Sequence, residues 1–114
     1  MRDFKRLKVW EKAHQITLQV YKITKDFPPE ERFGLANQMR RTASSIPANI
    51  AEGCGRARER EIARFMSIAA GSASEVEHQL LLACSHNYMK DETKRELNRQ
   101  VNDLKNMLYA FMKK

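Results

Sequence analysis

Two Glu-x-x-His pairs come closest to a known chemical motif in this chain. Glu11 precedes His14 and Glu75 precedes His78, each by three residues. On a helix this spacing places a carboxylate and an imidazole side by side, as in the di-iron centres of four-helix bundles. At about 100° per residue, however, all four side chains point away from the apolar stripe of their own helix. Ligands of a bundle-core metal must point inward, so the pattern predicts surface positions and no metal site.

The sequence supports nucleophilic catalysis and nucleotide binding no better than it supports a metal site. The chain has two cysteines, Cys54 and Cys84, and the sequence identifies no base beside Cys54. Gly53 to Arg56 form a glycine-rich turn before a helix, but the turn lacks GxxxxGK[ST] and follows no strand. The serines fall inside helices and the histidines have no evident partners, which argues against a Ser-His-Asp arrangement. We therefore expect no enzymatic activity and no cofactor.

Basic side chains predict a different chemistry, the binding of phosphates. The formal net charge is +7, which attracts polyanions such as nucleic acid. Exposed amides at the start of the third helix would add to the attraction. Further basic positions are Arg2, Lys90, Lys94, Arg95, Arg99, Lys113 and Lys114. The residues that we expect to contact RNA or DNA are Lys5, Arg6, Lys8, Arg56, Arg58, Arg60 and Arg64.

Some side chains near these clusters have two interpretations. Phe4 and Trp10 could stack on bases, although packing of Trp10 on the protein is the simpler expectation. Arg40 either joins the basic positions or pairs with a carboxylate. The charge as a whole could also serve only solubility or weak electrostatic adhesion.

Periodic apolar residues predict four helices, over residues of about 7–25, 29–52, 58–88 and 91–112. The last of them carries an apolar residue every three or four positions, at Leu97, Val101, Leu104, Leu108 and Phe111. Pro28 and the proline after it break the chain between the first two helices. Four amphipathic helices with short connectors predict a single all-α domain over residues 1–114, an up-down-up-down four-helix bundle.

Pro47 lies inside the predicted second helix, where it removes the hydrogen bond to the carbonyl of Ala43. We expect Ser44 and Ser45 to satisfy nearby backbone groups. A tolerated kink that fits the helix around its bundle is the simpler interpretation, and a functional hinge is the alternative.

Two helix faces predict that the chain associates with itself. The second helix carries a regular polar stripe without lysine, and the third has no charged residue from Phe65 to Ser74. Gly71 would let another backbone come close. The expected core stripe of the third helix is Ile62, Phe65, Ala69, Ser72, Val76, Leu80 and Ala83. The expected subunit interface is Gln38, Arg41, Ser45, Asn49, Glu52, Met66, Ala70, Ala73 and Glu77.

Length and composition indicate which class of protein the chain belongs to and where it acts. The chain has 114 residues, 42% hydrophobic and 31% charged, with 4 Gly and 3 Pro, as a helical globular domain requires. No apolar run approaches the roughly 18 residues of a membrane span, and the first residues do not resemble a secretory signal. Two cysteines offer no disulfide framework. We therefore expect a cytoplasmic protein that does not engage a membrane.

Long stretches of the chain resemble one known family. They are FKRLKVW at residues 4–10, the FPPEERFGL turn, QMRRTASSIPANIAEGCGR and FMSIAAGSASEVEHQLLLA. These segments are similar to the four-helix bundle family of 23S rRNA intervening-sequence proteins. The resemblance implies a homopentameric barrel of four-helix subunits, and no catalytic role attaches to the matching residues. A related branch of the family accompanies diversity-generating retroelements and binds nucleic acid and a reverse transcriptase.

The sequence thus predicts a non-enzymatic, basic homo-oligomer that binds RNA or DNA through phosphate contacts. The alternative is a protein-interaction scaffold that recruits another protein, such as a reverse transcriptase or a ribonucleoprotein component, without itself contacting nucleic acid.

Overall fold

The chain forms four α-helices in a computed structural model that describes residues 3–113. They are α1 (Lys8–Thr24), α2 (Leu35–Cys54), α3 (Glu59–Ser85) and α4 (Asp91–Met112). Short 3-10 turns at Phe4–Arg6 and Pro29–Glu31 precede α1 and α2. No strand occurs in this part of the chain, and none of its helices is long and apolar enough to cross a membrane.

Each helix runs antiparallel to the helices beside it. Side-chain hydrogen bonds mark the neighbours: Ser45 to Ser72 joins α2 to α3 at 2.8 Å, and Gln19 to Gln100 joins α1 to α4 at 2.8 Å. The starts of α1 and α3 therefore lie beside the ends of α2 and α4. We call this the N-terminal end of the bundle, and the other the opposite end.

The apolar stripes of the helices meet in one core. Four of the five residues in the predicted stripe of α4 are buried, because their regular spacing keeps them on one side of the helix. The fifth, Phe111, is half-buried and packs against the core. From α1 the core takes Val9, Ala13, Ile16 and Val20. The largest fully buried side chains are Ile16, Met39, Ile46, Ile50, Met66, Leu80, Leu97, Leu104 and Leu108.

The start of α2 differs from the prediction, which places it near residue 29. The two prolines lead into a 3-10 turn, and α2 begins only at Leu35. The Glu31 carboxylate accepts hydrogen bonds from the Leu35 N–H at 3.0 Å and from the Tyr88 hydroxyl at 2.9 Å. Glu31 thus satisfies an N–H in the first turn of α2 and ties it to the residues after α3.

The end of α3 is set by backbone geometry at Asn87. This residue has φ 61°, and the N–H groups of Asn87 and Tyr88 donate to the carbonyls of Cys84 and Ala83. A left-handed residue with these two bonds closes a helix C-terminus. The helix therefore ends at Ser85 and not near residue 88.

Pro47 is buried inside α2, and the carbonyl that it leaves without an N–H is satisfied from another helix. The Thr17 hydroxyl of α1 lies 3.1 Å from the Ala43 carbonyl and 2.8 Å from that of Ala13. The serines expected to help lie instead 3.1 Å and 2.6 Å from the carbonyls of residues 41 and 42. Both serines thus satisfy nearby backbone groups as predicted, whereas the partner of the Ala43 carbonyl comes from a residue far away in sequence.

The buried face of α3 corrects the predicted interface. Met66, Ala70 and Ala73 are 0%, 5% and 0% exposed within the single chain, so they pack in its own core and offer no surface to a partner. The helix packs against both α2 and α4 and therefore buries a wide arc. In the expected core stripe Ile62, Phe65 and Ser72 are only half-buried. The outward face is instead formed by Ser67, Ile68, Gly71, Ser74, Glu75, His78, Leu81 and Leu82.

Candidate nucleic-acid interface

Basic clusters that lie about fifty residues apart in sequence come together at the N-terminal end of the bundle. Lys5, Arg6 and Lys8 lie at the start of α1, and Arg58, Arg60 and Arg64 lie at the start of α3. The end of α4 lies between them and contributes to a groove beside Lys8 and to a cleft beside Arg60. The cleft has a volume of about 390 Å³ and is lined by Glu59, Arg60, Ile62, Ala63, Phe111, Met112 and Lys113.

Local contacts hold the first cluster in place. The Asp3 carboxylate accepts a hydrogen bond from the Lys5 N–H at 3.2 Å and so caps the 3-10 turn before α1. Phe4 packs edge-on against Trp10 with ring centroids 5.2 Å apart, and Trp10 stacks on His14 at 4.9 Å. Phe4 and Trp10 are half-buried and pack against the core. The packing interpretation therefore describes Trp10 better than base stacking does.

Most cations of the N-terminal end are exposed and keep their charge available. Among residues 3–113, the side chains of Lys5, Lys8, Arg58, Arg60 and Arg64 make no ion pair within 4.0 Å. That of Arg6 is 89% exposed and reaches a carboxylate only at 3.9 Å. Such side chains can reach phosphate oxygens without breaking a contact within the protein. Arg2 and Lys114 lie outside the described residues.

Arg56 is the exception within the predicted set. Its guanidinium pairs with Glu52 at 2.8 Å and with Glu61 at 3.7 Å, and it lies 5.0 Å from the centre of the Phe65 ring. These contacts join the end of α2 to the start of α3. The charge of Arg56 is already balanced by two carboxylates, so we assign this residue to the fold and not to phosphate binding.

The basic positions of α4 are largely neutralised by their neighbours. Arg99 pairs with Glu96 at 2.7 Å and with Asp103 at 3.2 Å. The hydrogen bond from Arg99 lowers the pKa of the Glu96 carboxyl, and the same bond raises the pKa of Arg99. Lys94 and Arg95 share the Asp91 carboxylate at 3.5 and 3.4 Å. This helix therefore offers fewer unpaired cations to a polyanion than the N-terminal end does.

Part of the polar stripe of α2 makes hydrogen bonds and ion pairs within its own chain. Ser45 is hydrogen-bonded to Ser72 of α3, and Asn49 donates to the Ser45 carbonyl at 2.7 Å. Glu52 pairs with Arg56, as described above. Gln38 and Arg41 are exposed. Of the five predicted positions, these two retain fully outward polar groups.

Glu77, the last predicted interface residue, also has a partner in its own chain. Its carboxylate lies 3.1 Å from the Lys105 ammonium of α4, and both side chains are at least two-thirds buried. A partly buried pair between two helices fixes their packing more than an exposed one does. Glu77 therefore belongs to the α3–α4 contact.

Sequence reasoning missed a second polar contact, centred on Thr42. The buried Gln79 side chain donates to the Thr42 hydroxyl at 3.0 Å, and that hydroxyl lies 2.9 Å from the Gln38 carbonyl. Glutamine usually lies on the solvated face of a helix, so the residue type alone did not indicate that Gln79 is buried. Its position beside the apolar residues Val76 and Leu80 is the only sign of burial in the sequence.

The outward face of α3 is apolar in places and open to approach. Ile68, Leu81 and Leu82 are 41%, 55% and 38% exposed. A Cβ added to Gly71 would meet no atom within 4 Å. The described chain therefore leaves room for a second backbone at Gly71, and the predicted contact itself stays a prediction.

The Glu-x-x-His pairs do not converge on a common site. Glu11 is exposed, and its partner His14 stacks on Trp10. Glu75 and His78 lie on the outward face of α3. Within residues 3–113, no group of three or more His, Cys, Asp or Glu side chains is arranged to hold a metal ion, and no disulfide joins the two cysteines.

Comparisons with known proteins address the family and the fold. A family model described as "23S rRNA-intervening sequence protein" matches residues 5–110. The structure is similar to a crystal structure from Bacteroides thetaiotaomicron VPI-5482, of a protein with unknown function from the S23 ribosomal protein family. The TM-score is 0.83 at 23% identity, over 93% of this chain and 99% of that one. A search of curated proteins finds no match.

Proposed function

The chain belongs to the 23S rRNA-intervening sequence protein family, and from that premise we propose that it is a basic homo-oligomer that binds RNA or DNA. Binding would use phosphate contacts at the N-terminal end of each subunit and show little sequence preference. We also propose that the protein is not an enzyme and acts in the cytoplasm.

The observation that carries the proposal is the meeting of two basic clusters at one end of the bundle. The exposed cations at the starts of α1 and α3 lie on either side of the end of α4, where the positively charged Lys113 is also exposed. A phosphate backbone that crosses this end could contact both clusters at once. Glu59 and Glu61 weaken the local field, but Glu61 is already paired with Arg56.

Neutralising one cluster tests this placement. We expect the triple variant R58Q/R60Q/R64Q to bind structured RNA and duplex DNA at least about tenfold more weakly, because each lost phosphate contact removes counterion release. The measurement is fluorescence anisotropy at fixed, near-physiological salt.

The matched control removes the same charge elsewhere. Lys22, Lys90 and Arg95 are exposed near the opposite end, so K22Q/K90Q/R95Q has the same net charge as the test variant. We expect it to keep nearly the wild-type affinity. Equal losses in both variants would show that binding follows net charge alone, and the N-terminal end would then have no special role.

Self-association is the second part of the proposal. The resemblance implies a pentamer, and the outward face of α3 with the exposed part of the α2 stripe offers a surface for it. Exposed Ile68, Leu81 and Leu82 would gain from burial against another subunit. Five copies would also present five basic ends, and their combined binding would exceed that of one.

A protein-interaction scaffold is the alternative, and one observation favours it. Phe33 is 84% exposed, and Tyr109 and Leu18 are about half exposed, and none of the three belongs to α3. Exposed aromatic side chains are frequent anchors of protein interfaces. A stoichiometric protein that stays bound after nuclease treatment, and is lost from a Phe33→Ser variant, would favour the scaffold.

A further inference from the structure

A cavity at the opposite end of the bundle is lined by cations and by no carboxylate. It has a volume of about 270 Å³ and lies between the end of α1, the proline turn and the start of α2. Its lining residues are Thr24, Lys25, Phe27, Pro28, Pro29, Arg32, Ala36 and Arg40. Three positive side chains around one small cavity repel each other unless an anion lies between them.

Arg40 is held in place by groups that leave its charge unbalanced. Its Nε donates to the Thr24 hydroxyl at 2.8 Å and its Nη2 to the Tyr21 carbonyl at 3.3 Å, and the guanidinium lies 5.0 Å from the centre of the Tyr21 ring. None of these partners is a carboxylate. The sequence left open whether Arg40 pairs with an acid, and in the described chain it does not. A guanidinium fixed in this way loses little freedom when it binds a ligand.

The walls of the cavity are rigid and its other cations are exposed. Pro28 and Pro29 restrict the backbone, and Phe27 is 7% exposed, so one side is a fixed apolar surface. Lys25 and Arg32 are exposed and can move toward a ligand. Ala36 lies in the first turn of α2, where the helix dipole adds partial positive charge.

The nearby acidic groups do not cancel this charge. Glu31 is engaged with the Leu35 N–H and the Tyr88 hydroxyl, as described above. Asp26 and Glu30 are exposed and do not line the cavity. The cavity therefore presents three cations to an anion that enters it.

We infer that this cavity binds a terminal phosphate group, the dianion of a phosphate monoester. Arg40 would hold the phosphate oxygens through its remaining N–H donors, while Lys25 and Arg32 close over them. A monoester carries more charge than a backbone phosphodiester and matches three cations better. The inference does not depend on the proposed function, because the cavity is at the other end of the bundle from the basic clusters.

Titration with inorganic phosphate and with AMP, followed by ³¹P NMR, tests the inference. We expect saturable binding at one site per chain, and about tenfold weaker binding in R40Q and in K25Q, since each removes a charged contact. Arg41 is adjacent in sequence, exposed and absent from the cavity wall, so R41Q is the matched control and should bind within about twofold of wild type. Lys25 makes no ion pair with a described residue, so K25Q tests the site even if R40Q disturbs packing on Tyr21.

An oligonucleotide with a 5′-phosphate, compared with the same strand ending in a 5′-hydroxyl, distinguishes the source of the ligand. Tighter binding of the phosphorylated strand that K25Q abolishes would indicate a strand end. AMP binding without that difference would indicate a free phosphorylated metabolite, and both results support the site. Lack of saturable binding to the wild type, or an R41Q loss as large as that of R40Q, would overturn the inference.

Discussion

Thr17 illustrates how a single hydroxyl can compensate for a proline in a neighbouring helix. It is buried in α1 and lies within hydrogen-bond distance of the Ala43 carbonyl, which lost its usual donor to Pro47. A buried carbonyl without a donor costs more than an ordinary hydrogen bond contributes. The sequence contained Pro47 and the carbonyl that it frees, but not the donor, because periodicity does not tell which side chain of another helix lies opposite.

We therefore expect Thr17→Val to lower the free energy of unfolding by about 1–3 kcal/mol, since valine keeps the shape and removes the donor. The measurement is equilibrium denaturation in urea. In a Pro47→Ala background the restored N–H can bond to the Ala43 carbonyl, so the same substitution should cost less there. An equal cost in both backgrounds would show that Thr17 does not compensate for Pro47.

The hydrogen bonds to the Glu31 carboxylate predict that the stability of the fold depends on pH. Its bond from the Leu35 N–H, and then that from Tyr88, lower the pKa of this carboxyl below its ordinary value. A carboxyl with a lowered folded pKa stabilises the fold above its unfolded pKa of about 4.3, and that contribution is lost as the pH falls through the folded value. We expect Glu31→Gln to lose less stability than wild type between pH 6 and pH 3, in thermal unfolding followed by circular dichroism. Parallel pH profiles of the two proteins would contradict this role.

At the scale of helices, regular one-sided patterns were enough to predict α1 and α4. Helix α4 has the predicted bounds, Asp91–Met112, and four of the five residues in its predicted stripe are buried. The patterns failed where tertiary contacts decide. The Glu31–Tyr88 contact accompanies the late start of α2. Packing against two neighbours buries Met66, Ala70 and Ala73 of α3, which lie outside its predicted core stripe. A sequence stripe gives the direction of burial but not how many helices share it.

Gly71 gives the sharpest test of the outward face of α3. A Cβ there meets no described atom within 4 Å, and glycine is among the weakest helix formers, so Gly71→Gln should keep the subunit folded or stabilise it by roughly 0.5 kcal/mol. If another subunit approaches this face, the longer side chain will block it. We expect the particle mass, measured by light scattering after size-exclusion chromatography, to fall toward the 13.3 kDa of one chain.

Asn102 is exposed on α4 and provides the control, because Asn102→Gln adds a similar group to a different surface. It should leave the mass unchanged. A Gly71→Gln protein with the wild-type mass would place the subunit contact elsewhere. Replacing Ala70 or Ala73 with glutamate would not test the subunit contact. Both residues lie in the core, and a buried charge would unfold the chain.

At the scale of the whole molecule, the antiparallel topology joins what the sequence separates. Clusters before α1 and at the start of α3 could be listed from the sequence, and an up-down-up-down order brings their helix ends together. The neutralisation of Arg56 and of the α4 cations depends on which carboxylates lie within a few ångströms, which composition does not reveal. Exposed and paired arginines look alike in the sequence, but an unpaired arginine binds a phosphate more readily than a paired one.

If the N-terminal end binds nucleic-acid phosphates, its cations must set the salt dependence of binding. Affinity for duplex DNA, measured by anisotropy across a salt series, should be tighter than about 1 µM near physiological salt and fall linearly on a log–log plot. The slope should become shallower by about 2–3 in R58Q/R60Q/R64Q, at nearly 0.9 per lost contact, and stay unchanged in K22Q/K90Q/R95Q. Binding that vanishes above low salt, or equal slopes in all three proteins, would show that the N-terminal end is not a phosphate-binding surface.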